Sequence, residues 1–177
     1  MSQSSRTPNI FLIGPMGSGK TAVGRQLARL LRLDFYDSDA EIEHRTGVDI
    51  PYIFEKEGES GFREREREVI DALTRLPSVV VATGGGAVLL PENRDRLAAR
   101  GCVVYLHTSI EQQLERTRHG RQRPLLYTKD PEAKLRELME MRLPLYHSIA
   151  RITVVTDGRQ VRAVADEIIQ RLKELPT

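Results

Sequence analysis

The eight residues Gly14-Pro15-Met16-Gly17-Ser18-Gly19-Lys20-Thr21 constrain this chain more than any other stretch. They follow G-x-x-x-x-G-K-[ST]. In that pattern the glycines let the backbone curl until successive N–H groups converge on phosphate oxygens, the lysine reaches the terminal phosphates, and the threonine offers a hydroxyl to Mg²⁺. With ordinary residue frequencies a chance match in a chain of this length is roughly 1%. The surroundings also fit: an apolar run, Asn9–Ile13, precedes the motif. A helical stripe of Val23, Leu27, Leu30 and Leu31 within Thr21–Leu33 follows it. A strand that feeds a helix through this loop implies a nucleoside triphosphate site, with Gly14, Gly17, Ser18, Gly19, Lys20 and Thr21 as its contacts.

The rest of the chain repeats the alternation. Short runs rich in β-branched residues lie at Asp34–Tyr36, Ser78–Ala82, Cys102–Leu106 and Ile152–Val155. They are continuous rather than alternating, as in strands buried on both faces of a parallel sheet. Between them helical periodicity runs through Phe62–Leu76, Pro91–Arg100, Ile110–Thr117, Lys134–Ile149 and Arg159–Leu175. Strands alternating with helices predict an α/β layer fold, and 177 residues without a linker or repeat predict one domain over 1–177, with 1–8 as a polar tail. Lys and Arg total 27 against 25 Asp and Glu, so no global field favours nucleic acid and any anion site must come from local clustering. The single cysteine, Cys102, excludes an internal disulfide and reads as a small buried hydrophobe. No stretch matches a signal-peptide core or a membrane span, and a cytoplasmic protein without nucleic-acid or membrane partners is expected.

Triphosphate binding alone does not name an acceptor. A guanine-nucleotide switch should carry N-K-x-D after a later strand, and the nearest string, Thr128-Lys129-Asp130, lacks the pattern. A kinase is therefore the favoured reading. Asp37 and Asp39 stand two residues apart at the end of a strand, where open parallel sheets bind their ligands. The strand Ser78–Ala82 is followed by glycines rather than an aspartate, which moves the Mg²⁺-linked carboxylate to Asp37. Asp39 can orient an acceptor hydroxyl, or cap a helix beginning near Ala40, or do both. Gly84-Gly85-Gly86 exposes backbone and lets a ligand approach closely. Arg116, Arg118, Arg121 and Arg123 crowd a loop punctuated by Gly120 and Pro124, and 116–128 is expected to be a mobile lid over the nucleotide. The alternating run Arg63–Glu68 reads as a mostly solvated helix face.

Taken together, Gly14–Thr21, Asp37-Ser38-Asp39, Phe62-Arg63 with Glu66, Gly84–Gly86, Arg123-Pro124-Leu125-Leu126 and Arg142-Leu143-Pro144-Leu145-Tyr146 resemble the shikimate kinase family, in its order and over nearly the whole chain from Ile10 to Leu172. The resemblance implies a three-layer α/β sandwich: a five-stranded parallel sheet flanked by helices, of the P-loop nucleoside monophosphate kinase type, with a substrate-binding region and a lid. It implies transfer of the γ-phosphoryl of ATP to the 3-hydroxyl of shikimate, with Mg²⁺ as cofactor, by a monomer. Lys20, Asp39 and Arg123 would be catalytic. Asp39, Arg63, Gly84, Gly85, Gly86 and Arg142 would bind shikimate, and Thr21 and Asp37 would serve the metal. Arg116 would lie by the adenine, and Arg123 and Arg159 would contact ATP. The residues themselves support the clamp: a planar guanidinium pairs with a carboxylate through parallel hydrogen bonds that lysine cannot reproduce. Phe54 and Phe62 would add an apolar wall, and Glu66, one turn after Arg63, could hold its side chain. A gluconate kinase shares the loop and the size but gives no reason for Asp37-x-Asp39 with Arg63 and Arg142. A non-catalytic relative would need a broken site, and Lys20, Asp37, Asp39 and Arg123 are all present.

Overall fold

The computed structural model describes residues 7–118 and 124–176. Strands β1 (Ile10–Ile13), β2 (Asp34–Asp37), β3 (Val79–Ala82), β4 (Cys102–His107) and β5 (Ile152–Val155) form one sheet in the order β2-β3-β1-β4-β5. Every pairing is parallel. The connections are helices α1 (Lys20–Leu31), α2 (Ser38–Thr46), α3 (Ile50–Thr74), α4 (Pro91–Arg100), α5 (Ile110–Thr117) and α6 (Pro131–Ile149), and α7 (Val161–Glu174) closes the chain.

Alternation along the strands divides the core. Ile10 and Leu12 of β1 join Val80, Val104 and Leu106 against α1 and α7, through Val23, Leu27, Val164 and Ile168. Phe11 and Ile13 face the other way, with Val81, Val103 and Tyr105, onto α3, α4 and α6 through Ile70, Leu73, Leu97 and Tyr146. Both faces are covered, which is why the central strands read as unbroken apolar runs. The expected three-layer sandwich is what forms. Cys102 is buried, as expected. Among the described residues no helix is long and apolar enough to cross a membrane.

Several elements differ from the sequence reading. Helix α3 is capped by Asp49, whose carboxylate accepts a hydrogen bond from Tyr52 N, and Pro51 sits in its first turn, where a missing N–H costs nothing. It passes through Gly58, a non-helical residue at φ 72°, before the expected Phe62 segment. Helical periodicity is broken at that kink, and the first half is therefore hard to see in the sequence. Arg65 bridges the kink with two 2.7 Å bonds to the Glu57 carboxylate. The second correction concerns α2. It starts at Ser38 and its cap is Asp37, whose Oδ1 accepts from Asp39 N at 3.0 Å and Ala40 N at 3.1 Å. Asp39 lies inside the first turn, and the cap position belongs to Asp37.

Candidate active site

Ligand sites in open parallel sheets lie beyond the carboxyl ends of the strands, and here the loops after β1, β2 and β3 converge. The loop after β1 is held by its glycines. Gly14 (φ 147°) passes so close to β4 that a Cβ would meet Leu106 O at 2.5 Å. Gly19 caps α1 in the left-handed region and supplies no side-chain cap, which leaves the first N–H groups of the helix facing the loop. Lys20 is folded back over the loop: its Nζ donates to Gly14 O and Pro15 O, both at 2.8 Å. Thr21 Oγ1 donates to Asp37 Oδ2 at 2.7 Å, so the two residues assigned to the metal are already neighbours. Asp37 has two tasks, with one oxygen on the helix N-terminus and the other toward the phosphate loop.

A cavity of about 460 Å³ opens over this loop, lined by Lys20, Thr21, Asp37, Asp39, Gly84 and Arg116 among others. Arg116 closes α5 and reaches across to Gly17 O at 2.9 Å and Thr156 O at 3.4 Å, tying the phosphate loop to the turn after β5. That turn is pinned in its own right by Asp157, which accepts from Thr108 Oγ1 at 2.5 Å and from Ser109 N at 3.0 Å. Arg159 is engaged elsewhere. Its Nη1 donates to Val155 O at 3.0 Å and pairs with Glu167 at 2.6 Å. The structure does not bring it to the cavity lining.

Beside the cavity, sharing Met16, Ile50, Asp39, Gly84 and Gly85 with it, is a second pocket walled by Phe54, Phe62, Arg63, Glu66, Gly86 and Arg142. Phe54 and Phe62 pack with ring centroids 4.9 Å apart, the apolar wall the sequence suggested. The charge run that reads as a solvated face splits by position. Glu64, Arg65 and Arg67 pair at the surface, whereas Arg63 is 9% exposed and Glu66 0%. Arg63 Nη1 donates to Glu66 Oε1 at 2.8 Å, and Glu59 accepts from Nη2 at 3.2 Å. Burial pushes the Glu66 carboxyl up, and Arg63, with Arg142 beyond it, pulls it back. Burial works to lower Arg63, but its two glutamates outweigh this and hold it above its ordinary value. Arg142, 3% exposed, is pushed down chiefly by burial.

Two guanidiniums, Arg63 and Arg142, converge here around the fully buried carboxylate of Glu66, with Asp39 on the side of the phosphate loop. Arg142 Nε and Glu66 Oε2 are buried without a hydrogen-bond partner among the described residues, a cost that a polar ligand can relieve. The glycine turn is what gives the charges room: a Cβ on Gly86 would collide with the Arg63 guanidinium, and one on Gly84 would stand 2.8 Å from both Asp39 Oδ1 and Glu66 Oε2. Ser38, which sequence reasoning passed over, is fully buried and accepts from Gly84 N at 3.0 Å, locking the glycine turn to α2. Glu59 was also missed, because it lies seven residues before Glu66 on a helix whose start the kink disguises. Pro124 and Leu125 border the pocket. Arg121 and Arg123 and the centre of the expected lid lie outside the described residues.

Comparison with known proteins shows the family and the fold. The family model described as shikimate kinase matches residues 16–173. A shikimate kinase from Halorhodospira halophila is 58% identical, with 97% of this chain and 98% of that protein covered. Among solved structures, the shikimate kinase of Acinetobacter baumannii in complex with shikimate superposes with a TM-score of 0.94 at 52% identity, over 95% of this chain and 94% of that one. The enzyme from Aquifex aeolicus gives 0.82 at 39% identity, covering 93% and 96%. The chain belongs to the shikimate kinase family.

Proposed function

We propose that this protein transfers the γ-phosphoryl group of ATP to the 3-hydroxyl of shikimate, using the residues as follows. The observation that carries this reading is the buried pair Arg63 and Arg142 with its single buried carboxylate, opening beside Asp39 and next to the phosphate loop. Such a pocket suits a small ring bearing one carboxylate and several hydroxyls. Arg63 and Arg142 clamp the carboxylate, Phe54 and Phe62 bound the ring, and Gly84–Gly86 let it approach. Asp39 accepts a hydrogen bond from the acceptor hydroxyl and takes its proton as the new bond forms.

The phosphate loop holds the triphosphate through its N–H groups, and Lys20 leaves its own loop carbonyls for the terminal phosphates. The acceptor oxygen bonds to the γ-phosphorus, the bond from that phosphorus to the β–γ bridging oxygen breaks, and ADP departs. Oxygen donors at Thr21 and Asp37, already 2.7 Å apart, suit Mg²⁺. Bound there, the ion would neutralise charge on the phosphates. Arg116 serves the adenine side, and Arg123 acts on the phosphates as the family resemblance implies. The same reading takes the protein as a cytoplasmic monomer.

A coupled ADP-release assay tests the reaction. We expect ATP and Mg²⁺ to support turnover with shikimate and only background release with gluconate. Turnover on gluconate at a similar rate would remove the clamp from the explanation, and Mg²⁺-independent turnover would remove the metal roles of Thr21 and Asp37.

A further inference from the structure

Tyr146 lies on α6 one turn after Arg142 and is wholly buried. Its ring stacks on Tyr105 of β4, with centroids 5.0 Å apart and planes at 17°. The stack fixes where the phenol can reach. Its hydroxyl donates to Gly85 O at 2.6 Å. Burial pushes that phenol up to about 12, and it remains a protonated donor throughout the working range. Phenylalanine would fill the same space without requiring a partner, so the hydroxyl is there for its bond.

The same helical turn touches the glycine turn a second time. Arg142 Nη1 lies 3.3 Å from where a Cβ on Gly85 would stand. The peptide unit is planar and trans, so holding the Gly85 carbonyl also fixes the Gly86 N–H, which points the opposite way. Gly86 borders the acceptor pocket. The phenol also shares a side-chain hydrogen bond with Arg142, so one hydroxyl orients a backbone donor and seats a guanidinium.

We propose that Tyr146 is a positioning residue for the acceptor subsite: by anchoring the Gly85 carbonyl it holds the glycine turn and Arg142 in register as a carboxylate clamp. It touches no substrate and acts through Arg142 and the turn. The proposal rests on the reading of this pocket as the shikimate site.

Steady-state kinetics of Tyr146→Phe, beside wild type and Tyr105→Phe, test it. Tyr105 carries the other hydroxyl of the stack, which bonds His107 Nδ1 at 2.8 Å, away from the glycine turn. Wild-type turnover on shikimate comes first, and its absence would overturn the reading of the pocket rather than the role of Tyr146. Given that turnover, Tyr146→Phe should raise KM for shikimate about tenfold, with KM for ATP within about twofold. Tyr105→Phe should keep the wild-type KM for shikimate. The proposal is overturned by an unchanged shikimate KM in Tyr146→Phe, by equal rises for both substrates, by the same rise in Tyr105→Phe, or by loss of folding in Tyr146→Phe, which would make the hydroxyl a core requirement.

Discussion

The two halves of the site are built on opposite plans. The nucleotide side is a single contiguous loop whose chemistry is backbone N–H groups, one lysine and one threonine, opening into a broad cavity. The acceptor side is assembled from α2, α3, the turn after β3 and α6, and its chemistry is buried side-chain charge. A loop of amides recognises phosphate wherever it occurs, and many folds can carry it. A buried pair of guanidiniums tolerates only a ligand of matching charge, size and hydrogen-bonding pattern. In the proposed reaction the first half delivers a generic reactant and the second decides what receives it.

If that division is right, the largest loss should come from the nucleotide half. Lys20→Ala should abolish turnover with ATP and Mg²⁺ while the fold persists. Lys20 donates to atoms of its own loop, Gly14 O, Pro15 O and Ser18 Oγ, and circular dichroism and the melting temperature should change little. Substantial activity in the folded variant would break the division at its stronger half.

Asp39 stands where the halves meet. Asp39→Asn keeps size and some hydrogen bonding but loses charge and basicity. A positioned general base contributes about 10²–10⁴-fold, and kcat should fall by about a hundredfold or more with KM for ATP nearly unchanged. Because Asp37 caps α2 and Asp39 does not, thermal stability should hold. Near-normal kcat at saturating shikimate would remove Asp39 from the chemistry.

The same contrast explains what could be read before the fold was known. The phosphate loop is contiguous and was complete in the sequence, down to Thr21. The β-branched runs at β1, β3 and β4 marked strands because both faces are covered. Asp37 was less legible: a carboxylate before a helix is ordinary, and only the fold shows one oxygen on Ala40 N and the other on Thr21. In the run Arg63–Glu68, spacing alone could not tell Arg63 and Glu66, which point inward, from Arg65 and Arg67, which do not. Ser38 and Tyr146 stand inside motifs of the resemblance, but no role for them can be read there, because their partners, Gly84 N and Gly85 O, are backbone atoms 46 and 61 residues away.

Arg63→Lys probes the acceptor half alone. The charge stays, but the planar fork that serves Glu66, Glu59 and a carboxylate together is lost. Shikimate binding should weaken by about 1–3 kcal/mol, the usual range for hydrogen bonds to charged groups, and ATP binding should not. Isothermal titration with each ligand separates the two, and equal weakening would make Arg63 a scaffold for the whole site.

The smallest effect is expected at Arg159, where resemblance and geometry diverge. The family motif points to ATP. In the structure Arg159 Nη1 covers Val155 O on β5, an edge strand of the sheet, and Arg171 Nη1 covers Thr153 O two residues earlier at 2.6 Å. Both arginines pair with Glu167 of α7, at 2.6 and 3.7 Å. Charged side chains laid over edge carbonyls are a recognised way to stop a sheet from recruiting further strands. These pairs are about a third exposed, so water screens them and each contributes little to stability. Arg159→Ala should therefore lower the melting temperature by only about 2 °C, the scale set by a fraction of a kcal/mol in a domain of this size, and leave KM for ATP within about twofold. A severalfold rise in KM for ATP with an unchanged melting temperature would return Arg159 to the nucleotide side, and it would mean that the Glu167 pairing gives way when ATP binds.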